Sequence, residues 1–302
     1  YNAKVPGLYF PLMAIIDYRG FRLIAMSILP ISRSTIRYGS ADAGKTIHKS
    51  NKEINKRMQE AAEVLNLKGH RTGLGRVMVW GPGDIEAHEG HDNKFYVVDF
   101  GRTFPPEAPS EQGSRKIFYC LLRPEFVRTY PKPLSSDAFS CWGKCNSRIH
   151  NDEVREATEF LYNKTIPRFA AELYQKKAPL EDIRLTESLH SSGINCRHLG
   201  RVRKALHEQF ADCEDLSKLL MTEMVARLLS GLLRQLLRIE MKNNTVASQE
   251  PYKTVVIDFL NAIFHDPNAN EVEPKSVLTK DQLSFRLAPS QARTISQGSA
   301  GS

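Results

Sequence analysis

Between Leu216 and Ile239 the chain holds a helical apolar pattern longer than any other it contains. That run limits the available folds more than any other stretch. Leu216, Leu219, Leu220, Met224, Leu228, Leu232, Leu236 and Ile239 recur at i, i+3, i+4 and i+7, which places them along one face of a helix. Arg234 and Arg238 within the run exclude a membrane-spanning reading. A stripe of this length is stable in water only when another element covers it. Shorter helical patterns surround it, from Asp152 through Ile166, from Leu180 to His190, from Leu199 to Phe210 and from Tyr252 to Phe264. Residues 152–265 are therefore expected to form an all-helical domain. From Asp266 the composition turns polar, ending in the Gly/Ser-rich Gln297 to Ser302, so 266–302 reads as a disordered tail.

The first third has a different period. Leu8 to Ile16 and Phe21 to Leu29 are strand-like runs separated by Asp17-Tyr-Arg-Gly20, a hairpin signal. Ser34 to Tyr38 reads as a further short strand. Ser50-Asn-Lys-Glu53 is a capping box, and Ile54, Met58, Ala61, Ala62 and Leu65 continue at helical spacing until Gly69, which predicts a helix over 51–67. Val77 to Trp80 is a strand candidate whose expected partner is Phe95 to Val98. The fold class is therefore α+β. A sheet-containing domain over 1–132 is followed by a Pro-, Ser- and Cys-rich linker over 133–151 and then by the helices.

Lysine and arginine number 42 against 34 aspartates and glutamates, a net charge of +8. Such a balance favours anionic partners, RNA or a membrane surface among them. The five cysteines are odd in number and scattered, which fits a reducing compartment rather than a disulfide framework. No uncharged apolar stretch reaches the length of about 18 residues that a span requires. No basic-then-apolar leader opens the chain, which begins at Tyr1 rather than Met. A cytoplasmic protein without membrane insertion is expected, and the chain reads as a piece of a longer polypeptide.

Chemistry-bearing residues concentrate in Gly81 to Pro106. Asp84, Glu86, His88 and Glu89 stand in what reads as a Gly- and Pro-punctuated loop, and Asp99 ends the run Phe95 to Val98 ahead of Phe100-Gly101. In kinase-like folds a loop Asp accepts the substrate hydroxyl proton, and a second Asp after a short strand binds metal. Asp84 and Asp99 follow that loop order and are the catalytic candidates. The metal-binding Asn position, however, holds Glu89 or His88, and no glycine-rich loop precedes it. Glu86, His88 and Glu89 are kept as ligand-binding candidates. Convergence of Asp84 and Asp99 on an open cleft would favour a ligand, whereas Asp84 capping a turn with Asp99 paired to Arg102 or another cation would favour architecture. Neither His88 with His91 nor Cys141-x3-Cys145 with His150 has the spacing of an ordered metal site, and no metal or cofactor is expected.

Gly39-Ser-Ala-Asp-Ala-Gly-Lys-Thr46 matches the phosphate-loop pattern in full, but that motif requires a helix to begin at its Lys-Thr. The capping signal comes only at Ser50, so the match is not read as a nucleotide site. Arg197, Arg201, Arg203 and Lys204 form a basic helix start that could meet nucleic-acid phosphates, although no aromatic residues interleave for base stacking.

Several phrases resemble the Clu domain of the clustered-mitochondria family. They are Val5-Pro-Gly-Leu-Tyr-Phe-Pro11, Asp17-Tyr-Arg-Gly-Phe-Arg-Leu23, Leu65-Asn-Leu-Lys-Gly-His70, Gly83-Asp-Ile-Glu-Ala-His88, Val98-Asp-Phe-Gly-Arg102 and Leu122-Arg-Pro-Glu125. His190-Ser-Ser-Gly-Ile-Asn-Cys-Arg-His-Leu-Gly200, Glu223-Met-Val-Ala-Arg227 and Phe259-Leu-Asn261 resemble the translation-initiation-factor-associated helical region that follows it in that family. The resemblance implies a large cytoplasmic scaffold with further domains, acting in mitochondrial distribution. It also implies partners among messenger RNA, ribosomal components and the other domains of a longer parent chain. It implies no catalytic residue.

Overall fold

The computed structural model describes residues 3–264 except 112, 141, 143–145 and 245–247. The chain is mixed α/β, with its sheet toward the N-terminus and its long helices toward the C-terminus. It divides into two compact units, neither continuous in sequence. Tyr1–Leu12, Met26–Phe169 and Ile183–Cys196 make the first, and Met13–Ala25, Ala170–Asp182 and Arg197–Ser302 the second.

The first unit is built on a five-stranded sheet. Its strands are β1 (Leu8–Tyr9), β4 (Ile36–Gly39), β5 (His48–Lys49), β8 (Glu86–Glu89) and β9 (Phe95–Val98), in the order β1-β9-β8-β4-β5. β1 lies parallel to β9 and the other neighbours are antiparallel. Helix α1 (Lys52–Val64) covers one face by burying Ile54 and Met58 against Tyr38, Val79, Ile85, Ala87 and Val97. Its cap is Asn51, whose Oδ1 accepts the N–H groups of Glu53 and Ile54; the Ser50 expected in that role lies one residue too early. The Tyr38 hydroxyl donates to the Trp80 carbonyl and accepts the Trp80 N–H, and burial pushes its phenol well above the usual range.

Two sequence expectations fail here for the same reason. Val77 to Trp80 does not pair with Phe95 to Val98. Instead β7 (Val77–Val79) forms a separate two-stranded hairpin with β6 (His70–Thr72). The residues that do pair with β9 are Glu86–Glu89, which sequence reasoning leaves in a loop because Glu-Ala-His-Glu lacks strand-like alternation. β8 is nonetheless the central strand. Ala87 and His88 are buried, and the polar side chains of the strand pair with one another, with Arg37 of β4 and with the flanking Thr35 and Asn51.

The phosphate-loop match at Gly39 to Thr46 is the connection between antiparallel β4 and β5, and no helix follows until Lys52. Its amides face inward. Gly44 N–H donates to Ser40 Oγ at 3.0 Å and Thr46 N–H to Asp42 Oδ1 at 2.9 Å. The donors that would cradle a phosphate are engaged by the loop's own side chains.

Helices α2 (Pro124–Thr129) and α3 (Ser147–Phe160) follow the sheet. A π turn, Leu161–Thr165, joins α3 to α4 (Ile166–Gln175), and α5 (Leu185–Ser191) comes next. In the second unit, α6 (Leu199–Gln209), α7 (Glu214–Asn243) and α8 (Glu250–Phe264) accompany the hairpin of β2 (Met13–Tyr18) and β3 (Phe21–Met26). The long apolar stripe is realised in α7, where Leu220, Met224, Leu228 and Leu232 are buried; Leu228 and Leu232 meet Phe259 of α8. Tyr174 stacks on Phe210 with centroids 3.9 Å apart. The residues expected to form the tail, 266–302, lie outside the described ones.

Candidate functional site

The candidate acids gather around Arg102. Asp84, one turn before β8, is bidentate to its guanidinium, at 2.9 Å from Nε and 2.6 Å from Nη2. The same Nη2 reaches Asp137 Oδ1 at 3.3 Å. Asp137 is fully buried, and its second oxygen accepts the Gly83 N–H and the His70 Nε2–H, each at 2.8 Å. Its carboxylate thus has a cation and two further donors, which is what a buried charge requires. Beyond His70 lies His150 on α3, ring centroids 6.2 Å apart and nearly perpendicular. Nδ1 of both rings is buried without a hydrogen-bond partner among the described residues. Burial lowers the pKa of the His150 imidazole, and electrostatic interaction with His70 and Lys68 lowers it further.

Asp99 stands at the exposed end of β9 with φ +53°. Partial burial raises its carboxyl, and the negative charges of Asp84 and Glu86 push in the same direction against Arg102. Asp84, Glu86 and Asp99 are therefore electrostatic neighbours, but Asp84 is closed by its bidentate partner. The ligand candidates on β8 are engaged as well. Glu86 meets His88 Nε2 at 3.1 Å, and His88 Nδ1 lies 3.0 Å from Thr35 Oγ1. Glu89 accepts from Arg37 at 3.2 Å and from Asn51 at 3.3 Å. Among the described residues no group of three or more His, Cys, Asp and Glu side chains is placed to hold a metal ion. Cys141 and Cys145 lie outside the described residues.

The basic candidates on and before α6 do not share one face. Arg201 and Lys204 are exposed and one turn apart, with Lys204 near Glu208 at 3.5 Å. Arg203 is half-buried, its Nε donating to Ser217 Oγ at 2.7 Å, and the same oxygen meets His207 Nε2 at 2.8 Å. His207 Nδ1 lies 3.4 Å from Cys213 Sγ, so Arg203 belongs to a polar seam between α6 and α7. Arg197 is half-buried just before the helix.

Sequence reasoning expected Arg102 to pair with Asp99, but its bidentate partner is Asp84. Nothing in Ser135-Ser-Asp137 announces the buried carboxylate that also meets Arg102.

Residues 1–109 match the family model described as Clustered mitochondria, and residues 176–297 match that of Translation initiation factor eIF3 subunit 135. The two stand in the order in which the quoted phrases resemble them. The Clustered mitochondria protein of Arabidopsis thaliana is 24% identical over 94% of this chain and 26% of its own length. Protein clueless of Drosophila ananassae is 34% identical over 43% of the chain and 11% of its own length. The Clustered mitochondria protein homolog of Homo sapiens is 32% identical over 35% and 9%. The chain thus spans about a quarter, or less, of these relatives. No solved structure matches it. No helix among the described residues is long and apolar enough to cross a membrane.

Proposed function

We propose that the chain serves as a non-catalytic cytoplasmic scaffold of the clustered-mitochondria kind, acting in mitochondrial distribution and in messenger-RNA- or ribosome-associated translation control. The observation that carries the non-catalytic reading is the closure of Asp84. A general base must reach the proton that it abstracts, and this carboxylate is bidentate to Arg102, itself tied to buried Asp137. The relatives' names support the mitochondrial role, and the initiation-factor match over 176–297 supports the translational one.

As a binding module the chain would meet RNA through Arg201 and Lys204, with Arg197 beside them. Retention on RNA should weaken steeply with salt, and R201E with K204E should reduce the log–log salt slope by about 2. Arg203→Glu is unsuitable for this test because it removes the Ser217 contact. An unchanged slope in the double variant would sink this site assignment.

A second reading, a divergent kinase-like nucleotide-binding or phosphotransferase domain using Asp84 and Asp99, is favoured by the electrostatic proximity of the two acids. It expects a thermal shift with magnesium and nucleotide that Asp99→Ala abolishes; no shift in the parent protein would end it.

A further inference from the structure

The loop joining β6 to β7, Gly73-Leu-Gly-Arg76, carries at its apex a leucine that is 82% exposed. Its geometry is built rather than loose. Gly73 has φ +68° and Arg76 φ +50°, and the Arg76 N–H closes the turn on the Gly73 carbonyl at 3.3 Å. A Cβ on Gly73 would fall 2.4 Å from Ile47 Cγ1 and 3.1 Å from the Gly44 carbonyl, so the base of the turn is seated on the β4–β5 loop. Leu74 stands exposed at the apex of this seated turn.

Cations surround that support. Arg71 on β6 is exposed, and its Nη1 donates to the Arg76 carbonyl. Arg76 and Lys45 are exposed on the turn and on the loop beneath it. Lys49 donates to the Met78 carbonyl at 2.8 Å and lies over the Trp80 ring. Burial lowers its pKa and the charge of Arg71 lowers it further. The loop's one carboxylate, Asp42, is engaged by the Ser40 hydroxyl and the Thr46 N–H. Three exposed cations, with Lys49 half-buried behind them, thus stand with the loop's one, internally satisfied carboxylate.

We propose that this hairpin tip is a peripheral docking point for an anionic phospholipid surface, with Leu74 entering the headgroup layer and the exposed Arg71, Arg76 and Lys45 meeting lipid phosphates. An apolar apex ringed by cations gains on a bilayer from both burial and charge. Single-stranded nucleic acid instead rewards flat rings on which bases stack. The apex here is aliphatic, and nearby Trp80 is half-buried with Lys49 over its face. The contact lies on the surface and involves no spanning segment.

Co-sedimentation of the full chain with phosphatidylcholine vesicles, with and without phosphatidylserine, tests this assignment. Binding is expected only with the anionic lipid and should fade as salt shortens the screening length. R71E with R76E should lower partitioning at least about thirtyfold, and Leu74→Ser about tenfold or more. Lys116→Glu, an exposed change elsewhere on the first unit, should leave partitioning unchanged. All variants should keep the parent's denaturation midpoint, since the altered side chains are exposed. Failure to bind anionic vesicles, or binding indifferent to both hairpin variants, overturns the proposal. So does binding of poly(U) that R71E with R76E abolishes while vesicle binding survives, which would reassign the patch to nucleic acid.

Discussion

Arg102 joins two carboxylates of unlike exposure, and the difference makes it testable. Arg102→Met leaves Asp137 buried without its cation and should cost about 3–5 kcal/mol in urea denaturation. Asp84→Asn acts on the more open side, where 30% of the side chain is exposed, and should cost about 1 kcal/mol or less. Equal small losses would mean that Asp137 does not depend on Arg102. His150 adds a pH dependence of known sign. Its folded pKa is lowered, chiefly by burial and then by His70 and Lys68, against weaker opposite pulls from Glu153 and Asp137. The unfolded chain therefore takes up this proton first. Stability tied to neutral His150 is complete above about pH 6.5 and is lost as pH falls toward the lowered folded value. Denaturation midpoints measured down from neutral pH should fall more steeply in the parent than in His150→Phe; parallel curves would contradict this. At this scale the acids Asp84 and Asp99 were legible, because they stand beside glycines in a compact phrase. Asp137, which shares Arg102 with Asp84, was not, since its burial is set by donors from Gly83, His70 and Arg102 that are remote in sequence.

Elements whose covering was apolar were the easier ones to read. Helix α1 and the stripe of α7 follow directly from their periods, because Ile54, Met58, Leu220, Met224 and Leu228 are buried where the spacing places them. β8 escaped because it is held by main-chain pairing to β4 and β9 and by buried Ala87, while its other side chains are paired polar groups that leave no apolar period. The β2–β3 hairpin was legible from its turn, but its support was not. Gly20 has φ +82°, and a Cβ there would lie 2.3 Å from the Arg234 carbonyl of α7, while Arg19 sits over the Tyr252 ring of α8 at 4.1 Å. Gly20→Val combines a disfavoured backbone with a clash against main chain, so a loss above about 2 kcal/mol is expected. Calorimetry should show this as a lowered transition for the second unit; an unaltered trace would remove the hairpin tip from that unit's support.

At the scale of the whole molecule, the two units interleave along the chain, each borrowing a segment from the other's stretch of sequence. The consequence concerns time rather than structure. The β2–β3 strands, with Ile15, Ile16, Leu23, Ile24 and Met26 exposed, leave the ribosome well before α7, whose residues that seat their turn follow roughly 200 residues later. At ordinary elongation rates that delay is roughly ten to forty seconds. During that interval the turn lacks its seat on α7, and an unanchored apolar ribbon with unpaired edges is a surface through which nascent chains associate wrongly or recruit chaperones. The rate of synthesis between the hairpin and α7 is therefore a variable to which the yield of folded protein should respond.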